Sequence, residues 1–487
     1  FRLSSPRESR APLRAPGRQT ALSVSLLALT IHALLTPAQA REAKLSEDLV
    51  VDASVDDTAP GNQQDYAVQT TRAGTKLLMT PRDVPQSLSV VTEQRMLDQN
   101  LQTVGEVLDN TTGIATQLVD SERSSYFSRG FQITNYTFDD IPTSAADNWN
   151  YGDAGEDTAI YDRIEVVRGA TGLMSGAGSP SASVNMVRKH ADSKTVTGNL
   201  SASYGRWNTQ RYVADLSAPL NEEGTVRGRV IAGYQDQDGW LDRYHKSKKF
   251  LYGVLDADVT DNTTVSLGYD YQESNTGNPT WGGLPTWYSN GSRTHYSRNL
   301  NPSADWARYS LDSRKVFANV KHDFDNGWTF RVNATHAEQT FADKLLYVME
   351  FPDAVTGSGV SGYGSLDRGK RTQESIDTYA SGPFELLGRH HELMAGVSYS
   401  RQHNQTYSVD GALDYAQMGS FDNNWNGNVQ EPEWGNWYLN ADDVIHQKSA
   451  YTAARFSLAD PLSLILGARY TQWSTDGSSG TMAKNHF

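Results

Sequence analysis

Residues Tyr161–His190 read YDRIEVVRGATGLMSGAGSPSASVNMVRKH. Ile164, Val166 and Val167 make a short β-rich run ending in Arg168-Gly169, and a second such run follows from Ala182 to Val187. Between them stand Gly172, Gly176 and Gly178, closed by Pro180. Two strands joined by a Gly-rich, Pro-stopped loop describe a module that turns sharply without spending side-chain volume. A phosphate loop is excluded, because no Lys-Ser or Lys-Thr follows the glycines. A dinucleotide fingerprint is excluded too, because Gly176-Ala177-Gly178 runs into Ser179-Pro180 and a strand rather than a helix.

Outward from this stretch the chain changes character twice. Upstream, from about Tyr66, Ser87 to Thr92 is a β-branched run, and Thr103 with Glu106 forms a capping box. Val104, Val107 and Leu108 fall on one helix face, with Gly113 beyond its end. Residues 66–190 therefore form a small α+β domain. Downstream of Thr195 the apolar period becomes two and stays there. Val226, Val230, Ala232 and Tyr234 share a parity against Arg227 and Arg229, and Val265, Leu267, Tyr269 and Tyr271 alternate with polar residues. Leu393 to Tyr399 and Leu462 to Tyr470 repeat the scheme.

The connections decide what such strands build. Short turns (Asn221 to Gly224, Asp261-Asn262, Asp325 to Gly327, Gly388-Arg389, Asp460-Pro461) alternate with long loops at about 274–312, 350–371 and 404–446. Short turns at one end and long loops at the other are the asymmetry of an antiparallel transmembrane β-barrel in an outer membrane. The mean hydropathy of −0.57 excludes a helical membrane bundle, which needs apolar runs of about 20 residues. It does not exclude a barrel, whose strands face lipid and lumen alternately. The 24 Tyr, 11 Trp and 40 Gly suit aromatic girdles and tight turns.

Near the N-terminus, five arginines from Arg2 to Arg18 precede the apolar run Ala21 to Leu35, and Ala38-Gln39-Ala40 closes the segment. This pattern predicts a secretory signal peptide over 1–40. The absence of cysteine agrees with export and rules out lipidation. Residues 41–65 read as a flexible, acidic N-terminus with one apolar knot at Leu49-Val50-Val51. Enzyme signatures are missing. His391-Glu392 is followed by Leu393-Met394-Ala395, so no HExxH zinc motif forms, and there is no GxSxG elbow. No cofactor and no nucleic-acid partner is expected.

The string Asp162 to Gly169, with Leu173, Gly176, Gly178, Pro180, Ser181, Asn185 and Arg188, resembles the plug-domain signature of TonB-dependent ferric-siderophore receptors. Ser128-Arg129-Gly130-Phe131 and Asp139-Asp140-Ile141-Pro142 extend the resemblance upstream. It runs from about Tyr66 almost to the last residue and is nearest to the receptors for ferric coprogen and rhodotorulic acid. The resemblance implies a mixed fold, a small α+β plug domain inside a barrel, with 191–487 forming the partial barrel wall and its extracellular loops. About eleven strands are legible between Thr195 and Trp473, against the roughly 22 of plugged transporters. The chain is therefore expected to hold about the first half of a 22-stranded barrel, C-terminally truncated, with Ser478 to His486 forming no strand.

The same resemblance implies a monomeric outer-membrane receptor that meets outer-membrane lipids, binds a ferric siderophore, and imports it when TonB and its inner-membrane motor complex pull. It places a TonB box at Glu47, Asp48, Leu49, Val50, Val51, Asp52, Ala53 and Ser54, where an extended segment can add to a partner's sheet edge. Iron arrives already wrapped by its siderophore. Arg129, Gly130, Arg163, Glu165, Arg168, Gly169, Gly176 and Gly178 are expected to fix plug geometry. The loops concentrate aromatics, which suit the amide and aliphatic surface of a hydroxamate siderophore. The expected binding residues are Trp281, Trp287, Tyr363, Trp425 and Trp434, joined by Asn148, Trp149 and Tyr151 of the plug's apex loop. Trp306, Tyr309, Trp437 and Tyr438 belong to the same loop-aromatic set. Coprogen-type receptors carry an Arg before the apex Trp, where this chain has Asn148. The acidic cluster Asp147, Asp153, Glu156 and Asp157 argues for a neutral or cationic ligand. Asp422, Asn424, Asn426, Gly427 and Glu433 match the spacing of an EF-hand calcium loop, although strand and loop flank them and Pro432 falls inside. Other bulky nutrients, a cobalamin or a glycan, remain open within the transporter class, and a surface adhesin outside it.

Overall fold

The computed structural model describes residues 66–142, 152–169 and 171–477, with the backbone of 483–486. The signal segment, the box at Glu47 to Ser54 and the apex residues Asp147, Asn148, Trp149 and Tyr151 lie outside these described residues.

The first unit is built from β1 (Ser87–Thr92), α1 (Glu93–Asp98), α2 (Val104–Asp109), β2 (Ala115–Leu118), β3 (Ser124–Ser128), β4 (Phe131–Gln132), β5 (Asn135–Phe138), β6 (Ile141–Pro142), β7 (Tyr161–Arg168), α3 (Gly172–Ser175) and β8 (Ala182–Arg188). β7 and β8 are antiparallel neighbours at the centre of a five-stranded sheet ordered β1-β7-β8-β5-β6, and β2-β3-β4 form a separate small sheet. The capping box forms: Thr103 accepts from the Glu106 amide while the Glu106 carboxylate accepts from the Thr103 amide. It starts a helix whose Val104, Val107 and Leu108 are fully buried against Ile164, Val166, Val184 and Met186. Each such side chain contributes roughly 1.5–3 kcal/mol. The Gly-rich connection holds a short helical turn, α3, that the glycine pattern did not indicate.

The second unit is a twelve-stranded antiparallel meander in strict chain order. Its strands are β9 (Thr197–Tyr204), β10 (Gln210–Pro219), β11 (Val226–Asp238), β12 (His245–Thr260), β13 (Thr263–Gly277), β14 (Arg308–Asp323), β15 (Thr329–Glu350), β16 (Val360–Leu386), β17 (Arg389–Leu413), β18 (Tyr438–Ala459), β19 (Leu462–Gly477) and β20 (Ala483–His486), with a helical turn α4 (Tyr415–Met418) before β18. One face is oily: Leu251, Leu255, Leu267, Leu464 and Leu466 are between 41% and 55% exposed. The other is polar and curls around the first unit. Among the described residues no helix is long and apolar enough to cross a membrane; this wall crosses with strands.

Three expectations need correction. β20 pairs with β19 from Gln472↔His486 to Thr475↔Ala483, so part of the polar tail is a strand. Backbone pairing to the β19 edge needs no apolar alternation. All three long loops are shorter than the sequence suggests, at 278–307, 351–359 and 414–437. β15, β16 and β17 run 22, 27 and 25 residues, far beyond the roughly 9–11 that span a bilayer, so their polar ends pair above the membrane. Tyr309, Tyr363 and Tyr438 consequently sit in strands rather than loops.

Candidate functional site

The polar face of the wall carries charges at mid-strand positions, and these close on the first unit. Lys315 of β14 contacts Glu156 and lies 3.1 Å from Asp270 of β13, all three nearly sealed from solvent. Arg211 of β10 grips Asp157 with both terminal nitrogens, at 2.7 and 2.8 Å. Arg371 of β16 meets Asp153 at 2.6 Å. Lys76, in a left-handed conformation, reaches Asp377 between the rings of Tyr379 and Tyr451. Gln447 accepts from the Ala177 amide and donates to the Ser175 carbonyl. Arg188 lies over Phe317 at 4.3 Å and pairs with Asp139 at 2.7 Å. Burial pushes the Asp153 and Asp157 carboxyls up, but Arg371 on the first and Lys248 with Arg211 on the second hold both below the usual carboxylate range.

The segment joining the two units is fastened as closely. His190 shares a 3.0 Å contact with Asp256, whose other oxygen accepts from the Ala191 amide. Arg227 and Arg229 donate to the Ala191 and His190 carbonyls, and the Tyr252 hydroxyl donates to that of Lys189. Burial alone would lower the His190 pKa; the hydrogen bond and charge of Asp256 instead raise it to about 9. Beside this joint, at the short-turn end, a cavity of about 280 Å³ is lined by charges of both signs, among them Arg163, Glu165, Arg227 and Asp256.

These contacts overturn one reading. Asp153, Glu156 and Asp157 do not present a negative field to a ligand, because each is neutralised by a wall cation. Uncompensated buried carboxylates would cost several kcal/mol. The wall cations were visible in the sequence only as charges at strand positions facing the lumen.

At the long-loop end, aromatic side chains gather above the plug unit. Trp281 packs against Tyr347 of β15 at 5.9 Å and Tyr363 of β16 at 5.6 Å. Trp306 and Trp434 meet edge to face at 5.8 Å, and the Trp434 indole donates to Glu431, which also pairs with Lys344. The Tyr363 and Tyr438 hydroxyls both donate to Asp410. Trp287 is about half exposed and pairs across a bridge with Arg293. Trp425 differs. It is 8% exposed, donates to the Ser303 carbonyl, and packs on Phe421 within a loop core. It holds loops together rather than lining the mouth. Tyr347 was missed because it lay in a strand outside the expected loops, while its cross-strand partner Tyr363 was read as loop.

The calcium-like spacing is used for turns. Asp422 accepts from the Asn424 amide and Asn426 from the Asn428 amide, while Arg243 packs directly against Gly427. No group of three or more acidic, His or Cys residues suited to a metal occurs among the described residues. In the plug, Arg163 pairs with Asp162 and Glu165, and Arg168 donates to Ser87 and Ser89. Arg129 lies against Gly169, whose φ is +111°. A Cβ on Gly178 would stand 2.0 Å from the Asn135 amide oxygen, and one on Gly176 would press on Gln447. Gly130 faces open space with φ +83°.

Comparison with known proteins agrees with this architecture. Residues 80–183 match the TonB-dependent Receptor Plug Domain family, and residues 274–486 match the TonB dependent receptor-like β-barrel. The ferric-pyoverdine BN7/BN8 receptor of Pseudomonas putida is 37% identical over 442 residues, which cover 87% of this chain and 53% of that protein. The ferripyoverdine receptor of Pseudomonas aeruginosa is 36% identical over 423 residues, covering 86% and 52%. The solved complex of P. aeruginosa FpvA with a heterologous ferric pyoverdine superposes with a TM-score of 0.83 at 35% identity, over 87% of this chain and 56% of that one. The FpvAI–pyocin S2 complex gives 0.82, over 86% and 57%. The chain spans about half the length of the curated relatives it matches. Their names correct the coprogen likeness expected from about Tyr66 almost to the last residue: these relatives are ferric-pyoverdine receptors. They are receptors and not enzymes. With a plug gripped by a lumen-facing wall, and both parts matched, the chain belongs to the TonB-dependent receptors of the outer membrane.

Proposed function

We propose that this chain is the plug-bearing part of a receptor that captures a ferric siderophore of the pyoverdine class and passes it to the periplasm when TonB engages Glu47 to Ser54. The observation that carries the reading is similarity to ferric-pyoverdine receptors across both plug and wall, including the strands whose ends hold the mouth aromatics. A pyoverdine joins a flat chromophore to a polar peptide. Trp281, Tyr347 and Tyr363 offer faces for the first, and Asp410 with the Glu431–Lys344 pair offers polar partners for the second. The ferrioxamine B receptor of Salmonella typhimurium, 25% identical over 82% of this chain, supplies the comparison ligand.

The test is growth of an iron-starved strain lacking its own siderophore receptors and carrying the full-length gene. It is fed ferric pyoverdines, ferrioxamine B or a ferric catecholate, with and without TonB. Growth on a ferric pyoverdine that requires TonB is the expected result. Growth on none of the three, or growth indifferent to TonB, contradicts the proposal.

A further inference from the structure

Above the membrane, the lumen face of the wall carries two aspartates side by side. Asp343 of β15 and Asp367 of β16 stand opposite each other in the register, which sets their Cβ atoms about 4.5–5.5 Å apart. They are 4% and 6% exposed. Asp343 comes 14 residues after Thr329, the first residue of β15, beyond the roughly 9–11 that span a bilayer. The pair therefore belongs to the part of the wall outside the lipid. Asp367 accepts from the Ser365 hydroxyl at 2.6 Å. One carboxylate oxygen of Asp343 is buried with no hydrogen-bond partner among the described residues.

The charges around the pair are already committed. Arg123, in the plug turn between β2 and β3, donates to Asp120 at 2.6 Å. Glu122 of the same turn takes Lys246 at 2.8 Å and accepts from the Tyr244 and Thr276 hydroxyls. Lys344, next along β15, pairs with Glu431, and lower on β16 Arg371 is held by Asp153 and Gln339. Tyr309 of β14 flanks Asp343 on its other side and brings no positive charge. Beyond Asp367, β17 presents Ser408 and, toward the mouth, Asp410 with the Tyr363 and Tyr438 hydroxyls. Among the described residues neither Asp343 nor Asp367 has an ion-pair partner. Two carboxylates so close and so buried do not both ionise readily, and a proton held between them removes the conflict. Burial first, and then the charge of Asp367, push the Asp343 carboxyl up to about 8, while Arg123 pulls the other way.

We propose that Asp343 and Asp367 form a proton-binding site: they share one proton at neutral pH, and its loss to water draws Arg123 off Asp120 and shifts the β2–β3 turn of the plug. The turn is organised by Asp120, which accepts from the Glu122 and Arg123 amides. Its Ser121 exchanges hydrogen bonds with Thr280, at 3.0 and 2.9 Å, next to the mouth residue Trp281. The proton thus sets how the top of the plug meets the wall. The site is independent of the siderophore reading and needs only the plug within its wall.

The test uses the full-length receptor in mild detergent, with Asp343→Asn and Asp367→Asn as variants and unchanged heat-modifiable migration as proof that each barrel is folded. Infrared difference spectra of the wild type lose a carboxylic-acid carbonyl band as the pH rises through about 8, and neither variant shows that loss. Hydrogen exchange, corrected for its intrinsic pH dependence, speeds up at the amides of Glu122 and Arg123 over the same range in the wild type and not in Asp343→Asn. An unfolded aspartate titrates near about 3.9, so the wild type loses stability between about pH 4 and 8 while an asparagine cannot. The unfolding temperature of Asp343→Asn therefore gains on the wild type across that window and no further above it. A carbonyl band already gone at neutral pH overturns the proposal, and so does turn exchange that follows pH equally in the wild type and Asp343→Asn.

Discussion

Lys315 shows what a single residue does in this molecule. Its ammonium is 1% exposed and holds Glu156 of the plug and Asp270 of the wall together. Replacing it by Met strands two buried carboxylates, so Lys315→Met is expected to cost about 3–5 kcal/mol, read as a lower unfolding temperature in detergent. His190 gives a pH signature of its own. An unfolded histidine titrates near about 6.5, and here the value is raised to about 9. Its contribution is therefore complete below about pH 6.5 and is lost as the pH rises through about 9. Protease sensitivity of the joint should increase between those values, and His190→Gln should flatten the response; a joint equally resistant at both ends of that window would contradict this role. Asp153 and Asp157 work in the opposite direction, their depressed values making acid the weakening condition, below about pH 4. The sequence displayed these carboxylates but not their partners. Asp153 meets Arg371 across 218 positions, and no local pattern encodes that distance.

Elements were more legible than contacts. Period-two alternation located the wall strands, and the Thr103–Glu106 box located α2, because both signals are local. Strand ends were not legible. Above the bilayer the alternation no longer reports lipid against lumen, so the polar ends of β16 and β17 read as loop. That error separated Tyr363 from Tyr347, which pair directly across β15 and β16. Two loop tryptophans, Trp281 and Trp425, differ in role. Trp281→Ala is expected to weaken ferric-siderophore binding by about tenfold or more, as an aromatic anchor does, with little change in unfolding. Trp425→Ala is expected to destabilise by about 3–5 kcal/mol, as removal of a buried aromatic does, and to loosen loops 278–307 and 414–437 together. Binding titrations and thermal scans of both variants separate the roles; the reverse outcome would exchange the assignments.

At the scale of the whole molecule, a wall with one oily and one charged face makes sense only if something polar fills its concave side and lipid bathes the other. The plug is that filling, gripped at its start by Lys76 on Asp377, at its Gly-rich loop by Gln447, and at its end by the His190 joint. The proposed transport past this plug requires some of these contacts to open. The chain contains no cysteine, so within it a single cross-link has no competing thiol. Ala177→Cys with Gln447→Cys, joined in intact cells by a short cleavable thiol cross-linker, ties the glycine loop to β18. The measurement is TonB-dependent uptake of ferric pyoverdine by the full-length receptor before linking, after linking and after reduction. The account predicts that uptake falls to background with the link in place and returns when it is cut; uptake undiminished by a complete link would contradict it.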